Sequence, residues 1–292
     1  SYSGRRRYVL LYVFQGCGCK MSDRNAESST DKMLRYLRET DPLREQLTLN
    51  IIKTLDLLSG SNGLDVGCGG GTQALMLANA VGPQGHVTGL DISPELLEYA
   101  NGFTAKKGLS DRVSFREGNF AKLPFADNTF DWLWSSDCVG PLPTTNEIAR
   151  VVKPGGSLNI VFWSYEQLLP GYPILEAKLK ATSAGLAPFA KGSKPEAHHI
   201  RMLSKFKEMG LTELQASTFV ETVHAPLSDE MRTAMTDIIE MRWPGVETEL
   251  SKDDFELFQC LTDPDSPDFV LNMPDYYGFY TYSVFKGKVP IS

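Results

Sequence analysis

The sequence has no CxxC pair, no apolar run near the roughly 18 residues a transmembrane helix needs, and no excess of basic charge. Its 292 residues carry 29 basic and 36 acidic side chains, a formal net charge of -7. A nucleic-acid binder with a broad basic face needs clustered Lys and Arg to neutralise phosphates, so no nucleic-acid partner is expected. No membrane span is expected either. The five cysteines are Cys17, Cys19, Cys68, Cys138 and Cys260. Only the CxC at 17 and 19 has any metal-like spacing, and alone it makes no site, so no metal is expected. An odd number of thiols in a chain this long points to reduced cysteines and a cytoplasmic location. What is present is apolar content, 42% of the residues, enough for a large core in one α/β domain with additions.

Residues 1–20 stand apart. In RRRYVLLYVFQGCGCK a basic start precedes seven apolar or aromatic residues. This reads as a leader or as an appended, unstructured upstream segment with Met21 as the natural start. The first twenty residues hold four basic and no acidic residues, so the remainder carries 25 against 36 and a net charge of -11. Residues 21–292 are expected to form a single domain.

Within it, 30–58 reads as two helices, with Pro42 in the first turn of the second and Leu43, Leu47, Ile51 and Leu55 on one stripe. From 62 onward short strands alternate with helices. GLDVG precedes a helix from about 72, HVTGLDI a helix from Pro94, and RVSFREG and FDWLWSS follow. A short helix around Glu147, a KPGG turn and SLNIVFW come next. Strands separated by helices imply a parallel sheet with right-handed crossovers. Farther on, a helix near 198–209 leads to a strand at 211–223, and an aromatic strand covers 277–289. The intervening 224–276 is too long for a hairpin loop. With thirteen acidic and three basic residues, it reads as a helical insertion, a lid.

The chemistry starts at LDVGCGGGTQAL, residues 64–75, with four glycines in five positions. In a parallel sheet, ligands bind at the carboxyl ends of strands, where glycine lets backbone come close. A P-loop needs Lys followed by Ser or Thr after the glycines; Thr72 and Gln73 stand there, so that class is excluded. A GxGxxG dinucleotide fingerprint started at Gly67 meets Thr72 and fits only when shifted to Gly69, Gly71 and Ala74. The register Asp-x-Gly-x-Gly-x-Gly, at Asp65, Gly67, Gly69 and Gly71, fits unshifted. Asp91, at the end of the second strand, suits two ribose hydroxyls, which both kinds of cofactor possess.

Downstream residues decide. Gly118-Asn119-Phe120, Leu123-Pro124-Phe125, Asp127-Asn128, Phe130-Asp131 and EIARVVKPGGSLNI at 147–160 follow in order. With the glycine turn, this run resembles the class I S-adenosylmethionine-dependent methyltransferases, in particular the group with the quinone-biosynthesis enzymes, over roughly 60–163. The resemblance implies a Rossmann-like three-layer α/β sandwich. Its seven-stranded sheet would be mostly parallel with the last strand antiparallel. A cofactor core at 60–165, an N-terminal helical cover at 30–58 and the lid at 224–276 would complete it. It also implies S-adenosyl-L-methionine as cofactor, S-adenosyl-L-homocysteine as product, and methyl transfer to a small or medium organic acceptor. Gly67, Gly69 and Gly71 would admit the methionyl part and Asp65 its amino group. Asp91 would accept from the ribose, and Ile92 would pack on adenine. Asn119 and the Phe120 N–H would meet the adenine edge, with Ser135 and Ser136 under the methionine. Asn119 departs from the usual Asp, though its amide oxygen still accepts. A nicotinamide-dependent oxidoreductase, or a non-catalytic donor-binding protein on this fold, is the alternative.

A general base is required only where the acceptor must lose a proton; His224 and Asp137 are the candidates. His86, His198 and His199 read as structural, as do Asp131, Glu147 and Arg150. Cys138 lacks the Pro-Cys or Thr-Cys context of a methyltransferase nucleophile. Tyr282 and Lys286 mimic a dehydrogenase pair but sit on a strand. Tyr36, Trp163, Tyr165, Trp243, Tyr276 and Tyr277 are candidate walls of an acceptor pocket, and aromatics equally fill cores. The Asn/Asp-Pro-Pro-aromatic run of base-amino methyltransferases is absent after strand four.

Overall fold

A computed structural model describes residues 29–141, 145–189 and 192–291. The segment 1–20, Met21 and the Cys17/Cys19 pair lie outside them. Sixteen helices and strands are named below in chain order. They are α1 Ser29–Lys53, β1 Asn62–Val66, α2 Thr72–Val81, β2 His86–Asp91, α3 Pro94–Lys106, β3 Val113–Glu117, β4 Phe130–Ser136 and α4 Asn146–Arg150. Then come β5 Val152–Gln167, α5 Pro173–Lys180, α6 Ser183–Leu186, α7 Met202–Glu208, β6 Thr212–His224, α8 Asp229–Arg242, α9 Lys252–Thr262 and β7 Tyr277–Lys288.

The seven strands form one sheet in the order β3-β2-β1-β4-β5-β7-β6. β1 pairs parallel with β2 and β4, β2 with β3, and β4 with β5. Reciprocal bonds between Gly155 N–H and the Val289 carbonyl and between Val289 N–H and the Gly156 carbonyl, with Ser164 opposite Thr281, set β7 antiparallel to β5. The fold is thus the mostly parallel, helix-flanked sheet that the resemblance implied.

The chain clusters into two compact units. One comprises 44–165, 194–220 and 281 onward. Its core strands are apolar on both faces: Leu64, Val66, Val87, Leu90, Leu133 and Ile160 are buried, as expected of parallel strands covered by helices. Gly63 leaves room for the Trp132 ring, which lies 2.0 Å from where a Cβ would stand. Ser93 accepts from Leu96 N–H at 3.3 Å and starts α3, with Pro94 in its first position. The other unit holds 29–43, 166–193 and 221–280. Ser228 and Ser251 cap α8 and α9 in the same way. Glu166 pairs with Arg242 at 3.0 Å, and Arg242 also donates to the Ala184 and Gly185 carbonyls.

Three expectations change. Residues 29–53 form one helix with Pro42 inside it, not two. Proline removes a single backbone donor, and the leucine stripe continues through it, with Leu43, Leu47 and Ile51 buried. KPGG is not a turn before a strand but part of β5, where the register with β4 shifts between Phe130 and Trp132. Gly155, at φ 80°, makes that irregularity possible. Finally, α5 and α6 occupy a stretch in which the sequence suggested no element.

Candidate functional site

The strand order brings four strand ends together. β1 runs into Gly67–Gly71, β2 ends at Asp91, β3 runs into Gly118–Phe120, and β4 runs into Asp137 and Cys138. Gly67 N–H donates to the Leu90 carbonyl at 2.7 Å, and Gly69 N–H donates to Asp91 Oδ2 at 3.0 Å. Asp91 Oδ1 accepts from Ser93 N–H at 3.0 Å, while its own carbonyl accepts from Gly118 N–H at 2.9 Å. Asp91 therefore ties three turns together. Its carboxyl pKa is raised, chiefly by burial, with these backbone donors acting in the other direction.

Asp65 lies beneath the turn, 1% exposed, and its Oδ2 has no hydrogen-bond partner. Burial, and then the Asp91 charge, push its carboxyl up to about 8. A buried carboxyl with an open acceptor is a site for a cationic or donor group brought by a ligand. Gly67 sits at φ 79°, and a Cβ there would stand 2.6 Å from Cys138 Cβ and Sγ. Ile92 is 47% exposed just past β2, an apolar platform beside the Asp91 carboxylate. Tyr99 of α3 lies 3.4 Å from the Cβ position of Gly70. Nothing in the sequence distinguishes Tyr99 from other aromatic residues on amphipathic helices. An acid, a second acid with two lone pairs left, an apolar platform and a side-chain-free turn fit an aminoacyl nucleoside such as S-adenosylmethionine.

Other residues are placed differently from expectation. Asn119 is exposed, and its Oδ1 accepts from Ala121 N–H at 2.9 Å, forming a local turn. Phe120 is buried. Ser135 is fully buried and donates to the Val66 carbonyl at 2.8 Å, so its hydroxyl joins β4 to β1. Ser136 is half-buried. The Cys138 thiol is pushed up to about 12 by burial and by the Asp91 and Asp65 charges, which disfavours the thiolate a nucleophile needs.

Asp137 has φ 52°, and its Oδ1 accepts from Trp163 N–H at 2.7 Å. His224 is exposed, with Nδ1 3.0 Å from the Ala225 carbonyl. His86 bonds Ser114 at 2.8 Å, and His198 caps Ile200 N–H at 3.3 Å. His199 packs on Phe162 and is pushed down to about 4 by burial. Lys286 donates to the Leu55 carbonyl at 3.0 Å, so it forms no catalytic pair with Tyr282. Asp131 accepts from Asn62 N–H and Lys153, and Arg150 bridges Glu147 and Asp127.

Of the aromatic candidates, Trp163 and Tyr165 belong to the sheet unit, and Tyr165 is 46% exposed. Tyr36, Trp243, Tyr276 and Tyr277 belong to the other. Trp243 is 2% exposed and meets Phe258 edge-on, and Tyr276 is buried with its hydroxyl on the Leu168 carbonyl. These two rings are core. Tyr36 is half-buried and Tyr277 is exposed. No helix among the described residues is long and apolar enough to cross a membrane.

A family profile described as a methyltransferase domain matches residues 57–214. The demethylmenaquinone methyltransferase of Halalkalibacterium halodurans is 31% identical over 186 residues, 58% of this chain and 74% of that protein. The Oryza sativa subsp. japonica protein named "Probable tocopherol O-methyltransferase, chloroplastic" is 40% identical over 111 residues, 37% of this chain and 30% of that protein. Several further curated relatives are covered over about half their length or less. Among solved structures, Haemonchus contortus phosphoethanolamine N-methyltransferase 2, in complex with S-adenosyl-L-methionine, superposes with a TM-score of 0.55 at 17% identity. That match covers 92% of this chain and 59% of that one. The chain belongs to the methyltransferase-domain family, on the class I fold whose cofactor is S-adenosyl-L-methionine.

Proposed function

We propose that this protein transfers a methyl group from S-adenosylmethionine to a small or medium organic acceptor. The observation that carries this reading is the buried, unpartnered Asp65 oxygen under a glycine turn that Asp91 itself holds in place. When bound, the cofactor supplies a methyl already activated on a sulfonium. The protein's own work is then alignment and exclusion of water.

In this reading Asp65 receives the amino group of the methionyl part, which passes over Gly67, Gly69 and Gly71. Asp91 accepts from both ribose hydroxyls with the lone pairs that Gly69 and Ser93 leave open. Ile92 packs on the adenine, and the Phe120 N–H and Asn119 side chain meet its edge. Ser135 supports the floor from below through Val66, while Ser136 faces the methionyl end. Trp163 and Tyr165 are the acceptor-side aromatics of the sheet unit, and Asp137 and His224 remain candidate bases. The segment 224–276 acts as the lid and 30–58 as the cover of a single domain. The names of the curated relatives support a small-molecule acceptor. The acidic body argues against nucleic acid, and unpaired Cys68, Cys138 and Cys260 agree with a cytoplasmic setting.

Titration calorimetry with S-adenosylmethionine, S-adenosylhomocysteine and NADH tests the donor assignment. Binding of both sulfur compounds, with none of NADH, is expected; the reverse result overturns it. Transfer of labelled methyl into a metabolite extract separates an enzyme from a donor-binding protein.

A further inference from the structure

The adjacent strands β4, β5 and β7 carry Asp137, Trp163 and Tyr282 side by side within the sheet unit. Asp137 follows β4 directly. Its N–H donates to the Val161 carbonyl at 2.9 Å, and its Oδ1 accepts from Trp163 N–H at 2.7 Å. Tyr282 from β7 and Arg44 of α1 both act to lower the pKa of the same carboxylate, the phenol as a donor and the guanidinium by its charge. The Trp163 ring meets Tyr282 edge-on at 5.7 Å, which fixes the phenol. Asp137 adopts φ 52°, a conformation a non-glycine residue rarely takes without compensation. These bonds supply it, and they aim the carboxylate while its side chain still reaches solvent.

Position relative to the donor cradle follows from the next residue. Cys138 occupies the place a Cβ on Gly67 would need, so Asp137 stands one residue from contact with the methionyl end of the turn. Asp137 bonds the Trp163 N–H, whereas Asp131 bridges Asn62 and Lys153.

We propose that Asp137, positioned by Tyr282 and Trp163, takes the proton from an acidic hydroxyl on the acceptor, so that the substrate is a phenol or enol methylated on oxygen. This rests on the methyl-transfer reading above. The acceptor O–H bond breaks and its proton goes to the Asp137 carboxylate. The oxygen electron pair forms the bond to the methyl carbon, and the S–CH₃ pair stays on sulfur, leaving a neutral thioether. The carboxyl then returns its proton to solvent. Arg44 selects among acceptors: its charge stabilises a developing oxyanion and repels an ammonium. The titratable and charged groups facing Asp137 are Arg44 from α1, Tyr282 from β7 and the neighbouring Cys138 thiol. The surrounding protein raises the carboxyl pKa by desolvation, while Trp163, Arg44 and Tyr282 limit the rise.

The test uses the full chain with S-adenosylhomocysteine for binding and methyl-labelled S-adenosylmethionine in a metabolite extract for transfer. The label is expected on a hydroxyl oxygen, as a methyl ether. Asp137→Asn should lose at least 100-fold in turnover and keep the S-adenosylhomocysteine dissociation constant within twofold. It should also lose the acidic limb of the kcat/KM profile. Tyr282→Phe removes a donor to the carboxylate and should move that limb to higher pH. The ¹³C resonance of the Asp137 carboxyl, read without turnover and identified by its loss in Asp137→Asn, should move the same way. Label on carbon, nitrogen or sulfur overturns the proposal. So does an unchanged limb in either variant, or the absence of labelled product from a protein that binds S-adenosylhomocysteine. Failure of the wild type to bind S-adenosylhomocysteine sinks the methyl-transfer reading itself.

Discussion

Asp91 Oδ2 accepts the Gly69 N–H at 3.0 Å, so the acid suited to a ribose is also the brace of the glycine turn. Binding and loop order are therefore coupled through one side chain. Asp91→Ala removes the acceptor of the Gly69 and Ser93 amides and leaves both donors without it. Bonds to charged acceptors contribute about 1.5–3 kcal/mol each, so donor affinity should fall by roughly 100-fold. Amide exchange at Gly69 should also accelerate in the ligand-free protein. Calorimetry with S-adenosylhomocysteine checks the first effect, and near-normal affinity would show that the ribose lies elsewhere.

Gly67 tests the cradle from its other side. Alanine there must hold φ 79° and place a methyl 2.6 Å from both Cys138 Cβ and Sγ. The backbone strain alone costs about 1–3 kcal/mol. Gly67→Ala should lower the denaturation midpoint and weaken S-adenosylhomocysteine binding together. Cys138→Ala removes only the sulfur half of the overlap, so in the double variant it should recover part of the stability. Full additivity of the two changes would show that residues 67 and 138 are not in contact.

The turns of this candidate site were legible because they carry chemistry in the sequence itself. Glycines, Asp91 and Pro94 punctuate β1, β2 and α3, and the glycine turn and the start of α3 fell where glycine freedom and a first-turn proline placed them. Pro42 misled, because one missing amide cannot outweigh a stripe of buried leucines. KPGG misled because a bulge and a turn use the same residues. The stretch holding α5 and α6 has prolines and glycines at both ends and offered little periodicity. The placing of Tyr282 beside Asp137 depends on β7 inserting beside β5, a long-range order that no local pattern encodes.

Asp65 makes stability depend on pH. Its folded carboxyl titrates at about 8, whereas an unfolded aspartate titrates near 4. Between those values the folded form holds a proton the unfolded chain has released, so stability falls as pH rises through that window. Asp91 and Asp137, also raised, act in the same direction. The ligand-free protein should unfold at lower denaturant at pH 8 than at pH 5. Asp65→Asn should make that loss smaller by about 2 kcal/mol or more, while weakening S-adenosylmethionine binding. A slope identical to that of the wild type would show that Asp65 is already ionised.

The second unit holds an acid pair of its own. Asp237 of α8 hydrogen-bonds Glu39 of α1, and Arg35 stands 3.5 Å from each. Burial, then Glu39, push Asp237 up to about 7, while Glu39 titrates below the usual range. Asp237 is thus the member of the pair that holds on to its proton longer. Below about 7 the pair carries one charge against Arg35; above it, two neighbouring carboxylates repel. The contribution to stability is largest at low pH and is lost as pH rises toward 7 and beyond. Asp237→Asn keeps a donor toward Glu39 with no proton to lose. It should be as stable as the wild type at pH 5 and more stable at pH 8, by about 1–2 kcal/mol. Glu39→Ala should remove the repulsion but also the bond, lowering stability at pH 5. Denaturation midpoints of the three proteins at both pH values decide the matter. An Asn variant with no advantage at pH 8 would mean that Arg35 compensates both charges.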